Sequence, residues 1–408
     1  MDVKKIRKDF PILNQSNDGK ALIYLDSAAT SQKPMHVIDA ISDFYKNYNA
    51  NISRGIYDLG EKTTELYEQA RETVATFIGA NPNEIVFTSG ATQGINFITR
   101  AWGDKNIHAG DEIIITELEH HSNMIPWQQL AERTGAVLKY IPVNFDGMLA
   151  LEMLPELIIE KTKLIAVTHV SNAIGMHVDI EHIIKQAHAV GARVLIDACQ
   201  SVPHQKINVH KLNVDFLVFS GHKMFGPTGI GVLYIKEKLH DEVSPYQFGG
   251  GMIYDADLYH ARWLKAPHKF EAGTPPIAQA IGLAAAIDYI NKNIDFDELK
   301  KHEAELCARL IDGLLQHKAI TIFGPVDQLK KSGHLVAFTV DGIHPHDVAA
   351  QLNKAGICVR AGHHCAQPLA KKMGIASSVR ASFYAYNTRK EVDHLVNELK
   401  KLLTAHSL

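Results

Sequence analysis

The chain has 408 residues, of which 46% are hydrophobic and 21% charged, and 42 basic against 45 acidic residues leave a net charge of −3. Proteins that bind nucleic acid or an anionic membrane surface are typically strongly basic, so this charge balance argues against both classes. The length is sufficient for one large domain and a smaller one.

Cysteine usage and the first residues bear on location. The four cysteines are scattered, with no Cys-x-x-Cys pair, which is typical of a reducing cytosol and provides no disulfide framework. The opening stretch MDVKKIRKDFPIL is basic but has no apolar region after it, so no secretory signal is expected. No apolar run reaches the length of a membrane span. We therefore expect a cytoplasmic protein with neither a membrane nor a nucleic-acid partner.

From about residue 84, short apolar segments alternate with helical patterns. The apolar segments are rich in β-branched residues, are apolar on both faces and end in polar residues or glycine. They predict strands at 84–90, 111–117, 136–143, 163–172, 192–200 and 215–221, with helices such as 91–102 and 179–190 between them. This alternation predicts an α/β fold with a doubly wound, mostly parallel sheet that binds ligands at the carboxyl ends of its strands.

The pattern changes after this sheet. A long helical run at 276–317 is followed by predicted strands at 334–340, 357–360 and 379–384 and by helices at 346–355 and from 388 onward. This second pattern predicts a smaller α+β domain. The expected organisation is an N-terminal segment, 1–20, that packs with the small domain, a large domain, 21–290, and a small C-terminal domain, 291–408.

A lysine at the end of a buried strand is the first chemical signal. In DFLVFSGHKMFGPTGIG (215–231), a strand runs into Ser220, His222 and Lys223 and then into a glycine-rich turn. Such a lysine is a candidate for a Schiff base with pyridoxal 5′-phosphate (PLP), which needs a desolvated pocket and a phosphate site. A lone lysine in this position is more often a surface residue, so the assignment depends on its neighbours.

Three other strand ends carry residues that suit the same cofactor. Asp197 closes an apolar strand and can hold a pyridinium nitrogen protonated, although alone it is equally an ordinary helix cap. In TSGATQGIN, a strand meets a helix at Ala91 and Thr92, where main-chain N–H groups and the Thr92 hydroxyl suit a phosphate. His120 follows a further strand and can stack on a flat ring.

These segments together resemble the PLP-dependent enzymes of the aminotransferase fold (fold type I, class V), and within them the SufS-type, or group II, cysteine desulfurases and the related selenocysteine lyases. The similarity covers nearly the whole chain. It rests on YLDSAATSQKP (24–34), TSGAT (88–92), EHHSNMIPW (119–127), VSNAIG (170–175), DACQS (197–201), SGHKMFGPTGIG (220–231), FEAGTPP (270–276), RAGHHCAQPL (360–369) and RASFYAYNT (380–388). The fold of this family implies that the sheet of the large domain has seven strands.

The resemblance implies a role for each matching residue. The implied cofactor-binding residues are Lys223 as the Schiff-base lysine, Asp197 at the pyridinium nitrogen, Gln200 at the phenolic oxygen, His120 as the stacking ring, Asn172 beside the cofactor, Ala91, Thr92, Ser220 and His222 at the phosphate, and Thr274 reaching the phosphate from the other subunit of a homodimer. Arg380 and Asn172 are implied to bind the substrate carboxylate. The implied catalytic residues are Cys365, Lys223 and His120.

Cys365 lies in RAGHHCAQPL, next to His363 and His364. Zinc prefers such residues, but neighbours in an extended segment point to opposite sides, so no metal site is predicted. Pro368 suits the first turn of a helix, and the helix N-terminus and the two imidazoles are expected to favour a thiolate on an exposed loop. The resemblance implies that Cys365 takes sulfur from L-cysteine, releases alanine and passes the sulfur to an acceptor of the SufE or SufU kind for iron–sulfur cluster assembly.

Some features differ from the family or leave alternatives. Ser53 and Tyr57 stand where the family has histidines around Arg54, and GGGMI (249–253) is one residue short; both bear on substrate preference and subunit packing. His346 can ligate a zinc on an acceptor, although an ordinary helix-start histidine is the simpler interpretation. The alternative functions are a selenocysteine lyase, a same-fold aminotransferase and, from another class, a zinc-binding scaffold.

Overall fold

A seven-stranded sheet forms the centre of the structure. The computed structural model describes residues 1–17, 19–53 and 55–407, without the side chain of Asn17. The strands lie in the order Ile85–Thr88, Gly231–Ile235, Phe216–Ser220, Arg193–Asp197, Thr162–Thr168, Glu112–Thr116 and Val137–Ile141. Gly231–Ile235 is antiparallel to both neighbours, and the five strands after it pair in parallel. The predicted α/β fold with a mostly parallel sheet is confirmed.

Helices cover both faces of this sheet. In the strand Glu112–Thr116, Ile114 belongs to one hydrophobic cluster, whereas Ile113 and Ile115 belong to another. Because alternate side chains of a strand point to opposite faces, the two clusters lie on opposite sides of the sheet. Burial on both sides explains why these strands are apolar throughout their length.

A second sheet, of four antiparallel strands, lies in the C-terminal part of the chain. Its order is Ile320–Phe323, Leu335–Val340, Ser378–Ser382 and Arg360–Gly362. Its core includes Phe338, with Leu310 and Leu395 from two covering helices. The first part of the chain joins this region, because Ile23–Tyr24 pairs in parallel with Ile357–Cys358.

The remaining elements connect and cover the sheets. The α-helices are Val3–Lys8, Met35–Asp43, Asp58–Ile78, Ala91–Ile98, Asp104–Asn106, Ile125–Thr134, Leu154–Leu157, Ile180–Ala189, Val209–Leu212, Ile277–Asn293, Phe296–Leu314, Val326–Ser332, Pro345–Lys354, Gln367–Lys372 and Arg389–Ala405. Two short hairpins pair Ser16–Asn17 with Lys20–Ala21 and Ile253–Ala256 with Ala261–Trp263. In the described ranges, no helix combines the length and the apolar character needed to cross a membrane.

Several elements differ from the sequence prediction. The run 276–317 is two helices rather than one, because Asp295 interrupts it and accepts hydrogen bonds from the N–H groups of Asp297 and Glu298 at 2.9 and 3.0 Å. The segment 357–360 contributes to two different strand pairings. The strands Gly231–Ile235 and Ile320–Phe323 are not among the predicted ones; the first begins within a glycine-rich stretch that resembles a turn.

We propose a large domain at 21–290 and a small one at 291–408 for the folded chain. The separate sheets support this division, and the helix Ile277–Asn293 ends close to the boundary. The N-terminal segment contacts both parts. The ring of Phe10 lies 5.1 Å from that of Phe225 and 5.0 Å from that of Tyr386, measured between centroids.

Candidate active site

A cavity of about 580 Å³ lies at the carboxyl ends of the strands of the large sheet, where an open α/β sheet binds ligands. The predicted site residues that line it are Ala91, Thr92, His120, Asn172, Asp197, Gln200, Ser220, His222, Lys223, Cys365 and Arg380. Thr274 does not line it; this side chain is exposed, and its hydroxyl lies 3.4 Å from Asn51 Nδ2.

One end of the cavity is rich in hydroxyl groups. Ala91 N–H, at the start of the helix Ala91–Ile98, donates to Ser220 Oγ at 3.0 Å, and Thr92 Oγ1 lies 2.7 Å from Ser122 Oγ. Gly231 permits this close packing, because a Cβ there would lie 2.4 Å from Gly90 Cα. Three hydroxyls at a helix N-terminus form a donor set that fits a phosphate.

Charged groups of both signs occupy the middle of the cavity. Asp197 is buried at the end of its strand, and its Oδ1 accepts from Cys199 N–H at 3.0 Å. Lys223 is half-buried on the turn after the strand Phe216–Ser220. Burial lowers the pKa of His120 to about 4, and the Lys223 ammonium acts in the same direction. His120 is therefore a neutral ring at pH 7, suited to stacking and to proton exchange.

The amide of Gln200 has a defined orientation. Its Nε2 donates to the carbonyl of Ala28 at 2.7 Å, so its Oε1 faces Nε2 of His334 at 3.1 Å and accepts the proton of that ring. Because an amide nitrogen carries two protons, one N–H remains for a ligand in the cavity. Gln200 can therefore donate to an anionic oxygen of the cofactor.

The turn that carries Lys223 is anchored by the segment 30–33. The carbonyl of His222 accepts from Thr30 Oγ1 at 3.0 Å, from Ser31 N–H at 3.1 Å and from Lys33 Nζ at 2.8 Å. Burial lowers the pKa of Lys33 to about 7. These bonds hold the main chain immediately before Lys223, so the lysine emerges from a fixed turn.

Arg380 connects the small sheet to the loop that follows the strand Thr162–Thr168. It is buried on the strand Ser378–Ser382, its Nη1 donates to the carbonyl of Asn172 at 2.6 Å, and its Nη2 lies 3.3 Å from Asp26 Oδ1. Burial lowers the pKa of Arg380 to about 10, while Asp26 opposes this change. Within the described ranges its Nε has no hydrogen-bond partner, which leaves a buried donor for a carboxylate.

Cys365 lies exposed at the edge of the cavity, ahead of the helix Gln367–Lys372, whose first turn contains Pro368 as predicted. One part of the prediction is wrong. His364 does not supply positive charge to the thiol, because it is buried, its Nε2 lies 3.0 Å from Ser378 Oγ, and burial together with Arg380 lowers its pKa to about 3.

The structure offers no grouping for the zinc alternative. Throughout residues 1–17, 19–53 and 55–407, no three histidine, cysteine or acidic residues are placed to share a metal ion. The ring of His344 accepts the N–H of His346 at 3.3 Å, at the start of the helix Pro345–Lys354. Of the segment that departs from the family pattern, Arg54 lies outside the described residues.

Several residues at the site were not predicted from the sequence. Asp26 binds Arg360 through a 2.8 Å contact and also contacts Arg380. Ser122 adds a hydroxyl to the phosphate end, and His121 contacts the main chain around Cys365. Asp26 and Arg360 lie within quoted motifs, but their pairing spans 334 positions and leaves no local signal.

The cavity therefore fits a flat anionic carbonyl cofactor such as PLP. Its hydroxyl end suits the phosphate, Asp197 suits a ring nitrogen, and Lys223 supplies an amine for a carbonyl carbon. When bound, such a cofactor supplies an electron sink for the substrate's carbon. In the same cavity, Arg380 is placed to bind the carboxylate of an amino acid, and Cys365 is placed to react with its sulfur.

Comparisons with known proteins agree with this geometry. The model of the aminotransferase class-V family matches residues 23–395. A probable cysteine desulfurase of Halalkalibacterium halodurans is 49% identical over 98% of both chains, and one of Staphylococcus aureus is 48% identical over 98% of this chain and 96% of its own. Among solved structures, the apo cysteine desulfurase of Thermococcus onnurineus NA1 has a TM-score of 0.94 at 42% identity and 98% coverage of both chains. The cysteine desulfurase CsdA of Escherichia coli has a TM-score of 0.91 at 36% identity and 99% coverage of both chains.

Proposed function

The chain belongs to the aminotransferase class-V family and is a PLP-dependent cysteine desulfurase, and from this premise we propose that Cys365 is the residue that receives the sulfur of L-cysteine. The observation that carries the proposal is the exposed Cys365 thiol at the edge of the cavity that Lys223 and Arg380 also line. The short turn before the helix Gln367–Lys372 keeps the thiol at this edge.

The reaction balances without an added oxidant or reductant. The Cys365 thiolate attacks the substrate sulfur, an S–S bond forms and the substrate Cβ–S bond breaks, with the bonding electron pair left on the carbon fragment. That fragment takes up a proton and leaves as alanine. The products are alanine and a persulfide on Cys365, and the cofactor stabilises the negative charge that develops on carbon.

Each neighbouring residue has a proposed part in this reaction. Lys223 would hold the cofactor covalently and could move protons at the substrate Cα. Asp197 would face the ring nitrogen, and Gln200 would donate to the phenolic oxygen. His120 would stack on the ring and exchange protons near the sulfur. The buried donor of Arg380 binds the substrate carboxylate, with Asn172 beside it.

We further propose a cytoplasmic homodimer that passes the sulfur to an acceptor protein of the SufE or SufU kind for iron–sulfur cluster assembly. The placement of Thr274 agrees with the dimer, since this threonine is exposed and lies outside the cavity of its own chain, as a residue that reaches the partner subunit's site would. The short turn at Cys365 reaches outward poorly, which supports a dedicated acceptor.

The deciding experiment compares the native enzyme with Cys365→Ala, with Cys358→Ala as the matched control because Cys358 does not line the cavity. We expect all three proteins to keep the visible absorption of bound PLP and to respond spectrally to L-cysteine. Alanine is expected from the native enzyme and the control but not from Cys365→Ala.

Alanine formed at the native rate by Cys365→Ala would remove the persulfide mechanism and favour an aminotransferase. Turnover on L-selenocysteine far above that on L-cysteine, and retained by Cys365→Ala, would favour the selenocysteine lyase. A protein without visible absorption after loading with PLP would contradict the assignment of the cofactor site.

A further inference from the structure

The turn that carries Cys365 has an unfavourable backbone conformation. His364 and Cys365 both have positive φ angles, 53° and 57°, in the left-handed region. Residues with a Cβ are disfavoured there, and two in succession are more so. Such a turn persists only where contacts from other elements hold it.

Two contacts that hold this turn come from a single residue, His121. Its main-chain N–H donates to the carbonyl of Cys365 at 2.7 Å, and its ring Nε2 accepts the N–H of Gln367 at 3.2 Å. These bonds lie at and after the thiol-bearing residue. On the other side, Asn172 Nδ2 donates to the carbonyl of His364 at 2.6 Å.

The ring of His121 must be neutral to accept at Nε2, with its proton on Nδ1. Burial and the neighbouring His363 lower the pKa of His121, which favours this neutral form. His121 also follows His120, which lines the cavity. The segment that faces the cofactor space therefore also holds the main chain of the nucleophile.

We propose that His121 is a positioning residue for sulfur transfer, fixing the main chain at Cys365 and immediately after it so that the thiol faces the cavity. The inference rests on the proposed role of Cys365. It predicts that His121 acts through hydrogen bonding at one ring position rather than through the charge or bulk of an imidazole.

The test uses two variants of His121 that differ only in reach. A glutamine oxygen reaches the position of Nε2, whereas an asparagine oxygen reaches only that of Nδ1. In the PLP-loaded enzyme, we expect amide hydrogen exchange at Gln367 to accelerate about fivefold or more in His121→Asn, as expected for the loss of one hydrogen bond, and to stay native in His121→Gln. His344→Ala is the control, because it removes a similar histidine cap from another helix and should expose the His346 amide only.

Sulfur transfer supplies the second readout. A single turnover that forms the Cys365 persulfide should slow about 10- to 100-fold in His121→Asn and recover in His121→Gln, as a displacement near 1 Å would produce. The spectrum of bound PLP and its change on adding L-cysteine should not move in either variant.

Equal exchange at Gln367 in the two variants would overturn the anchoring. Distinct exchange with equal sulfur transfer would overturn the positioning role. Failure of the proposed function has a different signature, namely alanine production that survives Cys365→Ala, and the exchange result does not depend on it.

Discussion

At the scale of single residues, the site is built from side chains whose partners are already in place. Arg380 illustrates this, since Asp26 and the carbonyl of Asn172 each occupy one of its terminal nitrogens, while its buried Nε is unpartnered within the described ranges. The guanidinium therefore keeps a fixed orientation at low conformational cost. Lysine at this position has neither the planar fork nor the additional donor.

We predict that Arg380→Lys raises the KM for L-cysteine about 10- to 100-fold, which corresponds to the loss of a hydrogen bond to a charged group. The effect on kcat should be smaller, because the carboxylate is bound in both the ground state and the transition state. Steady-state kinetics provide the measurement. Arg7→Lys is the control, since Arg7 contacts Glu391 outside the cavity. An unchanged KM with a reduced kcat would contradict carboxylate binding by Arg380.

Most residues that the sequence singles out line one cavity, but the contacts between them were not predicted. Lys223 and Cys365 stand in specific motifs, and the cavity contains both. Asp26 was not singled out, because its partners Arg360 and Arg380 are 334 and 354 positions away. The expected effect of the His364 imidazole on the Cys365 thiol also failed, because the burial that lowers the pKa of His364 depends on tertiary packing.

At the scale of elements, a buried ion pair joins the helix Asp58–Ile78 to the segment that leads to Thr274. Arg71 donates to Glu271 through Nη1 at 2.7 Å and through Nη2 at 2.9 Å. Glu271 also accepts from Phe87 N–H at 2.7 Å and from Tyr67 Oη at 2.9 Å. Both oxygens of the Glu271 carboxylate accept hydrogen bonds in this buried position. Removal of the Arg71 guanidinium therefore leaves a buried negative charge without its cation.

We predict that Arg71→Met lowers the free energy of unfolding by about 3–5 kcal/mol, the cost of breaking a buried pair on one side. The double variant Arg71→Met/Glu271→Gln should recover part of this loss, because no unpaired charge remains. Arg309→Met, which breaks the exposed pair with Asp393, should cost less than about 1 kcal/mol. Urea unfolding measures all three, and similar losses for the buried and the exposed pair would contradict the argument.

Elements were predicted best where apolar strands alternate with helices. The strands Glu112–Thr116 and Arg193–Asp197 fall inside their predicted ranges, because burial on both faces produces an unmistakable composition. The strand Gly231–Ile235 was missed because its first residue is a glycine, which is typical of a turn. The structure shows that this glycine is needed for close packing against Gly90, a contact that the sequence does not reveal. The break at Asp295 was missed although its capping residue is visible in the sequence.

At the scale of the whole molecule, partly buried histidines are expected to contribute to the response to acid. Burial lowers the pKa of His177 and His222 to about 4 and that of His169 to about 3. A histidine of the unfolded chain titrates near 6.5. Between these values the unfolded chain binds more protons than the folded one, so the stability that these groups provide is present above about pH 6.5 and is lost as the pH falls towards 4.

We predict that the free energy of unfolding decreases steeply as the pH is lowered from about 6.5 to 5. His177→Gln should reduce this slope by up to about 1.4 kcal/mol per pH unit, the limit for a difference of one whole proton. Urea unfolding at several pH values measures the slope. His182→Gln, at an exposed position, is the control and should leave the slope unchanged. A native slope in His177→Gln would show that this ring does not contribute.

The position of Arg380 has a further consequence for the order of biosynthesis. This residue lies on Ser378–Ser382, a strand with neighbours on both sides in the small sheet, and Asp26 forms a bridge with Ser382. During translation, the early motifs leave the ribosome long before that strand does. The pocket that we propose for the amino-acid carboxylate therefore closes only late in synthesis. A nascent chain that already contains Lys223 is thus kept from processing cysteine before its folding is nearly finished.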